Sequence, residues 1–384
     1  MIINKLKGGQ MENSTKIWLG IIALAVIVLI LIGTLTGNIV KRDKVTVGVI
    51  LPMTGEVAAI GLNSKAAMEL AAKEINENGG INGQELELIF EDGKCNSKDA
   101  ANAANKLINI DGVDIIIGGM CSGETMSAAP IAESSETVLL SFCSSAPTVT
   151  NAGDYVFRVM PSDSYQGKFA AEYAYNELGA RKVAVIYPLG DYGVGIKNAF
   201  TKNFEALGGE IVIEQGVEQT TKDLRTPLTK IKAENPDVIY FVAYADAAII
   251  GLKQIKELGI KAQILGGDAW DDPKIIEEAK DSAEGVRYVM PYAPLNLNFK
   301  KGMKEMTNSE EITLCSPNGY DAVNLLAKII AEVGTDSNAV KDALYQVEGY
   351  KGVSGTITID ENGDLEDATY QVKEIRNGKA EQIK

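Results

Sequence analysis

Two segments of this 384-residue chain end an apolar run on small polar residues and then resume with helical spacing. "DIIIGGMCSGETMSAAP" carries Gly118, Gly119, Cys121 and Ser122, and "SFCSSAP" carries Cys143, Ser144 and Ser145. Small side chains let a ligand approach the backbone, and a following helix turns its free N–H groups toward an anion. Three later segments, "YPLGDYGVG", "FVAYADA" and "LGGDAWDDP", place larger groups at comparable positions: Tyr192, Tyr244, Asp268 and Trp270. An amide cradle opposed by a carboxylate and aromatic rings complements a zwitterion, with carboxylate on the amides and ammonium on the acid and the ring faces. That is binding chemistry rather than catalysis. Any one such segment alone reads as ordinary turn chemistry, because Gly and Ser dominate turns; their recurrence points to a site. Asp272, just before Pro273, reads as a helix cap.

The composition narrows the function further. The chain has no histidine, which removes the usual general base and the commonest metal ligand. Its net charge is −15, and the first 44 residues hold six Lys/Arg against Glu12 and Asp43, so the acidity lies in the rest of the chain. An acidic body excludes nucleic acid as a partner. "GDYGVG" fails the dinucleotide fingerprint, because Asn198 stands where the third glycine belongs, and no phosphate loop occurs. Ser122 lies in no nucleophile elbow, and Cys143 has no neighbouring base to activate it as an amidohydrolase. "DENGD", Asp360–Asp364, is too short for a calcium loop and reads as a hairpin turn. No catalytic residue, metal site or cofactor is expected.

The candidate residues need a scaffold that brings loop tips together. From Val45 onward, short β-branched runs alternate with amphipathic segments, the pattern of βα units on a mostly parallel sheet. Helical spacing is expected over 61–78, 97–110 and 123–134, then over 192–207, 222–235, 246–258 and 273–279. Two such series predict an α/β fold of two doubly wound lobes, with ligands at the carboxyl ends of the strands. A helical stretch to about residue 348 is expected to return to the first lobe, and the terminal strand to the second. Cys95 and Cys121 follow the second and third strands on one rim, so a disulfide between them is expected, worth about 3 kcal/mol in the chain-entropy model. Cys143 and Cys315 are left unpaired, with a second bridge as the alternative. Ile17–Val40 is a run of 24 uncharged residues, long enough for a transmembrane helix. It predicts an N-terminal membrane anchor with the folded part extracytoplasmic, or, as the alternative, a cleaved signal and secretion.

Together, "VGVILPMTG", "AAKEINENGGINGQELELIFEDGKCNSKDA", "IIIGGMCSGET", "FRVMPSDSYQG", "YPLGDYGVG" and "ILGGDAWDDP" resemble the type I periplasmic solute-binding proteins. The likeness is to the branched-chain amino acid (Leu/Ile/Val) branch that feeds ABC importers. It implies a monomer whose lobes close like a hinged clamp on a small amino acid and deliver it to a permease. The lobes are expected over 45–161 with 291–365 and over 162–290 with 366–384, after a basic segment 1–16. Three crossing strands would join them, near Met160–Ser162, near Met290–Pro291 and near Leu365. The resemblance also implies the Cys95–Cys121 bridge. Carried over by position, Ser122, Cys143 and Ser145, with Ser144 beside them, would hold the α-carboxylate and part of the ammonium. Tyr192 and Tyr244 would cover the ligand, and Asp268 would take the ammonium. Ile60 stands where relatives often place an aromatic, and Asp268 where a longer Glu is usual, which leaves the side-chain pocket open. The alternatives are a sensory ectodomain with the same clamp or a binder of amide- or urea-type solutes.

Overall fold

The computed structural model describes residues 44–384. The first half of that chain alternates strand and helix: β1 (Lys44–Leu51), α1 (Ala58–Glu77), β2 (Glu85–Asp92), α2 (Ser97–Asn109), β3 (Ile115–Ile117), α3 (Ser122–Ser134), β4 (Val138–Ser141) and β5 (Val156–Arg158). These strands form one sheet in the order β2-β1-β3-β4-β5, paired in parallel throughout. Helices cover both faces, so β3, β4 and β5 are buried at every position, which is why they read as unbroken apolar runs.

A second alternation follows: α4 (Asp163–Glu172), β6 (Lys182–Pro188), α5 (Asp191–Ala206), β7 (Glu210–Val217), α6 (Arg225–Glu234), β8 (Val238–Phe241), α7 (Ala245–Leu258), β9 (Gln263–Gly266), α8 (Pro273–Ala279) and β10 (Arg287–Pro291). The chain then adds α9 (Leu297–Thr307), α10 (Ser316–Val333) and α11 (Ser337–Leu344), a short hairpin of β11 (Tyr350–Lys351) and β12 (Thr356–Ile357), and finally β13 (Tyr370–Arg376) and β14 (Lys379–Gln382). The second sheet runs β14-β13-β10-β9-β8-β6-β7, with only β13 and β14 antiparallel to their neighbours. The late helices α9 and α10 pack on α1, where Phe299 and Met303 bury against Ala67 and Leu70.

The result is two α/β lobes joined by crossing strands. The chain leaves the first sheet after β5, returns after β10, and crosses again between Leu365 and β13. Backbone bonds tie these crossings together, from the Arg158 N–H to the Gly363 carbonyl at 2.9 Å and from the Tyr292 N–H to the Thr369 carbonyl at 2.8 Å. In each sheet the strand order reverses at one place, between β1 and β3 and between β6 and β8. A crevice opens at such a switch point, outside the carboxyl ends of the strands. The tips singled out from sequence follow β3, β4, β6, β8 and β9, so they share these two edges.

One expectation is corrected. No helix among the described residues is long and apolar enough to cross a membrane, and the run 17–40 lies outside the described residues. The two-lobed fold stands on the described residues alone, and the transmembrane helix, the membrane partner and the anchored location expected from that run are withdrawn.

Candidate ligand-binding site

The tip after β3 is held from behind by one acid. Glu124 Oε2 accepts the Met120 N–H at 3.0 Å and the Cys121 N–H at 2.9 Å, and Oε1 accepts the Cys95 N–H at 2.9 Å. The Cys95–Cys121 disulfide lies beside these contacts. The Gly119 N–H goes to Thr125 Oγ1 at 2.9 Å. A Cβ on Gly119 would lie 2.4 Å from the Glu124 Cβ, so only glycine fits there. Of the four N–H groups that a helix leaves without intrahelical partners, those of Glu124 and Thr125 reach the Cys121 carbonyl at 2.9 and 3.2 Å, which leaves the Ser122 and Gly123 N–H groups at the first turn of α3.

The tip after β4 docks against it. Ser144 is fully buried, its hydroxyl 2.7 Å from Thr125 Oγ1 and donating to the Gly119 carbonyl at 3.1 Å. The Ala146 N–H donates to Ser122 Oγ at 3.2 Å, which leaves the Ser122 hydroxyl hydrogen for a guest. Behind Ser145 sits Arg158, fully buried in β5, with all five of its donors engaged. Nε and Nη2 bind Asp364 Oδ1 and Oδ2, each at 2.7 Å; Nη2 also reaches Thr150 Oγ1 at 2.9 Å, and Nη1 reaches the Ser145 and Ala146 carbonyls at 3.1 and 2.9 Å.

Opposite this cradle, Asp268 opens a 3-10 turn after β9 and is buried. Its Oδ1 accepts from Tyr192 Oη at 2.7 Å, Gln166 Nε2 at 3.2 Å and the Ala269 N–H at 3.0 Å. None of these bonds uses Oδ2, which remains the free acceptor. Burial raises the Asp268 carboxyl, against the pull of the Tyr192 and Gln166 hydrogen bonds. The Tyr192 and Tyr244 rings lie 5.5 Å apart, tilted by 32°. Burial, with the Asp268 charge next, raises both phenols, so they stay neutral.

A cavity of about 40 Å³ separates the two halves. The first lobe contributes Val57, Ile60, Met120, Cys121, Ser122, Cys143, Ser145, Leu314 and Cys315, and the second Tyr192, Tyr244, Asp268 and Ala269. Of the residues expected from sequence, Ser122, Cys143, Ser145, Ile60, Tyr192, Tyr244 and Asp268 are brought together here. Ser144 and Trp270 are not. The Ser144 hydroxyl is used behind the cradle to join the tips of β3 and β4. Trp270 turns into the core beside Phe241, its ring filling the space left by Gly266, where a Cβ would meet the indole at 2.6 Å. Cys143 and Cys315, left unpaired from sequence with a second bridge as the alternative, are joined to each other, so the cavity wall carries a disulfide rather than thiols. Asp272 caps α8 by accepting the Lys274 N–H at 2.9 Å. Sequence reasoning passed over Arg158, although a lone arginine inside the apolar run "YVFRVM" signals a buried charge that needs a partner.

A family model described as periplasmic binding protein matches residues 44–379. The chain is 29% identical over 338 residues to the leucine-, isoleucine-, valine-, threonine- and alanine-binding protein of Pseudomonas aeruginosa, covering 86% of this chain and 90% of that one. Among solved structures it is similar to the leucine-binding protein LivK of Thermotoga maritima, at 32% identity and a TM-score of 0.82, covering 88% of this chain and 98% of that one. LivJ of Streptococcus pneumoniae, the substrate-binding protein of a branched-chain amino acid transporter solved with isoleucine, matches at 26% identity and a TM-score of 0.81, covering 89% and 99%.

Proposed function

Because the chain belongs to the periplasmic binding protein family, we propose that its cavity takes a small aliphatic amino acid, enclosed between two lobes and delivered to the permease of an ABC importer. It is an extracytoplasmic amino-acid-binding protein of the branched-chain amino-acid transporter class, and it performs no catalysis. The lobes are taken as 45–161 with 291–365 and 162–290 with 366–384.

The observation that carries the ligand assignment is the polarity of the two walls. Among the described residues, on one wall the Ser122 hydroxyl and the first N–H groups of α3 are free donors; on the other, Asp268 keeps Oδ2 free and no lysine or arginine lines the cavity. A guest with a carboxylate at one end and an ammonium next to it satisfies both. A carboxylic acid without the ammonium would leave Asp268 buried and unpaired, which is costly. The remaining wall, Val57, Ile60, Met120 and Leu314, is apolar and suits an aliphatic side chain.

Calorimetric titration of protein unfolded and refolded to strip carried-over ligand, against the amino acids and urea, tests the assignment. One-to-one binding of leucine, isoleucine or valine is expected, and binding of urea or amides alone would overturn it. Asp268→Ala should weaken the amino acid by about 2–5 kcal/mol, because a desolvated ammonium loses its partner, while the melting temperature stays close to that of the parent. An unchanged affinity would remove Asp268 from the site.

A further inference from the structure

Asp163 is the first residue of α4, wholly buried, and has no part in the ligand assignment. It holds Ser145 twice: its N–H donates to the Ser145 carbonyl at 2.7 Å, and its Oδ2 accepts the Ser145 hydroxyl at 3.0 Å. Arg158 Nη1 donates to the same carbonyl, so Ser145 is fixed on both its backbone and its side-chain oxygen. Among the described residues Asp163 Oδ1 has no hydrogen-bond partner. Arg158 is already saturated by Asp364, Thr150 and two carbonyls, and among the described residues no cation forms an ion pair with Asp163.

A serine hydroxyl has a single hydrogen and two lone pairs. With that hydrogen committed to Asp163, the Ser145 oxygen offers only lone pairs to the cavity that Ser145 lines. Lone pairs attract an ammonium and repel a carboxylate. We infer that Asp163 is a positioning residue that makes Ser145 an acceptor for the ligand's ammonium, opposite Asp268, and so sets the preference for an amino acid over the same acid without its amino group. The inference rests on the amino-acid reading of the cavity.

The charges around Asp163 agree with this. Burial pushes its carboxyl well up, the Asp268 charge adds to that, and Ser145 and Arg158 pull the other way. The hydroxyls of Tyr192, Tyr240 and Tyr370, whose phenols are raised by burial and by these acids, stay neutral around it. An entering ammonium opposes both upward effects and favours the ionised acid, the form that takes the Ser145 hydrogen.

The test compares leucine with 4-methylpentanoate, which is leucine without its amino group, on the full protein by calorimetry and, for weak binding, by NMR titration. Asp163→Asn should weaken leucine at least about ten-fold while 4-methylpentanoate stays within about two-fold or tightens, narrowing the ratio between them. Ser145→Ala should weaken leucine in the same selective way, and adding Asp163→Asn to it should cost little more, because the two residues act as one unit. Equal weakening of both ligands, unchanged leucine binding, or full additivity of the two substitutions overturns the role. Where the des-amino acid is too weak to measure in any variant, the leucine cycle alone decides. Should Asp163→Asn fail to fold, Ser145→Ala and Ser145→Thr decide it: leucine binding lost in the first and kept in the second is expected, and equal binding in both overturns it. Parent protein that binds no amino acid removes the functional reading together with this one, whereas parent protein that binds leucine with any of those failures removes this one only.

Discussion

Glu124 is buried, yet three backbone N–H groups point at its carboxylate. Those bonds favour the charged form, but burial outweighs them and raises the group from 4.5 to about 7. An acid whose folded value lies above its unfolded one binds its proton more tightly in the native state, so low pH favours folding at this position. The stabilisation is therefore complete below about 4.5 and is lost as the pH rises through about 7, a swing of about 3 kcal/mol. Glu124→Gln cannot titrate and removes the swing. Urea unfolding of parent and variant at pH 4 and pH 8 should show the parent losing stability relative to the variant at the higher pH. A constant difference would mean that Glu124 titrates at its ordinary value. The same carboxyl aligns the tip of β3, so this one acid links the stability of the cradle to its shape.

Among the elements, β5 carries the charge that ties the cradle to the third crossing. Arg158 is fully buried and Asp364 nearly so, with side-chain exposures of 0% and 13%. Arg158→Met should cost about 3–5 kcal/mol, because it leaves the aspartate without its cation and frees two carbonyls of the cradle loop. Adding Asp364→Leu should recover part of that loss in thermal or urea unfolding. A cost below about 1 kcal/mol would mark the pair as solvent-screened. The strand β5 was legible as an apolar run, and so were the tips: 97–110 and 123–134 were expected as helices, and α2 and α3 occupy Ser97–Asn109 and Ser122–Ser134. Periodicity records which face of an element is buried, and that is enough to place Ser122, Ser145 and Asp268 at strand ends. It does not record which distant loops meet. Arg158 finds Asp364 across 206 residues and Cys143 finds Cys315 across 172, and no local spacing encodes either pairing. Trp270 misled for a related reason: the space it fills under β9 exists only because Gly266 lacks a side chain.

For the whole molecule, binding depends on how closely the lobes approach. Gly195, on the second-lobe helix α5, sits against Pro147 in the first lobe, where an added Cβ would lie 2.6 Å from the proline Cδ. Neither residue lines the cavity around Asp268. In an open clamp the position faces solvent, and Gly→Ala inside a helix is then favourable by about 1 kcal/mol. In the closed clamp the methyl group overpacks the contact at a cost of about 1–3 kcal/mol. The helix gain is common to both states, so the substitution shifts closure by the overpacking cost alone. Ligand bound by the closed form sees its affinity reduced by the fraction of molecules able to close. Gly195→Ala should weaken leucine roughly 5- to 150-fold while leaving the melting temperature of the ligand-free protein unchanged or raised. Small-angle scattering at a leucine concentration that just saturates the parent should give the variant a larger radius of gyration, and the difference should vanish at much higher leucine. An unchanged affinity would mean that the lobes relax at this contact without opening, and that closure is governed by the ligand cavity alone. A weaker affinity with a lower melting temperature would mean that the contact with Pro147 persists in the ligand-free protein, which would then rest with its lobes already together.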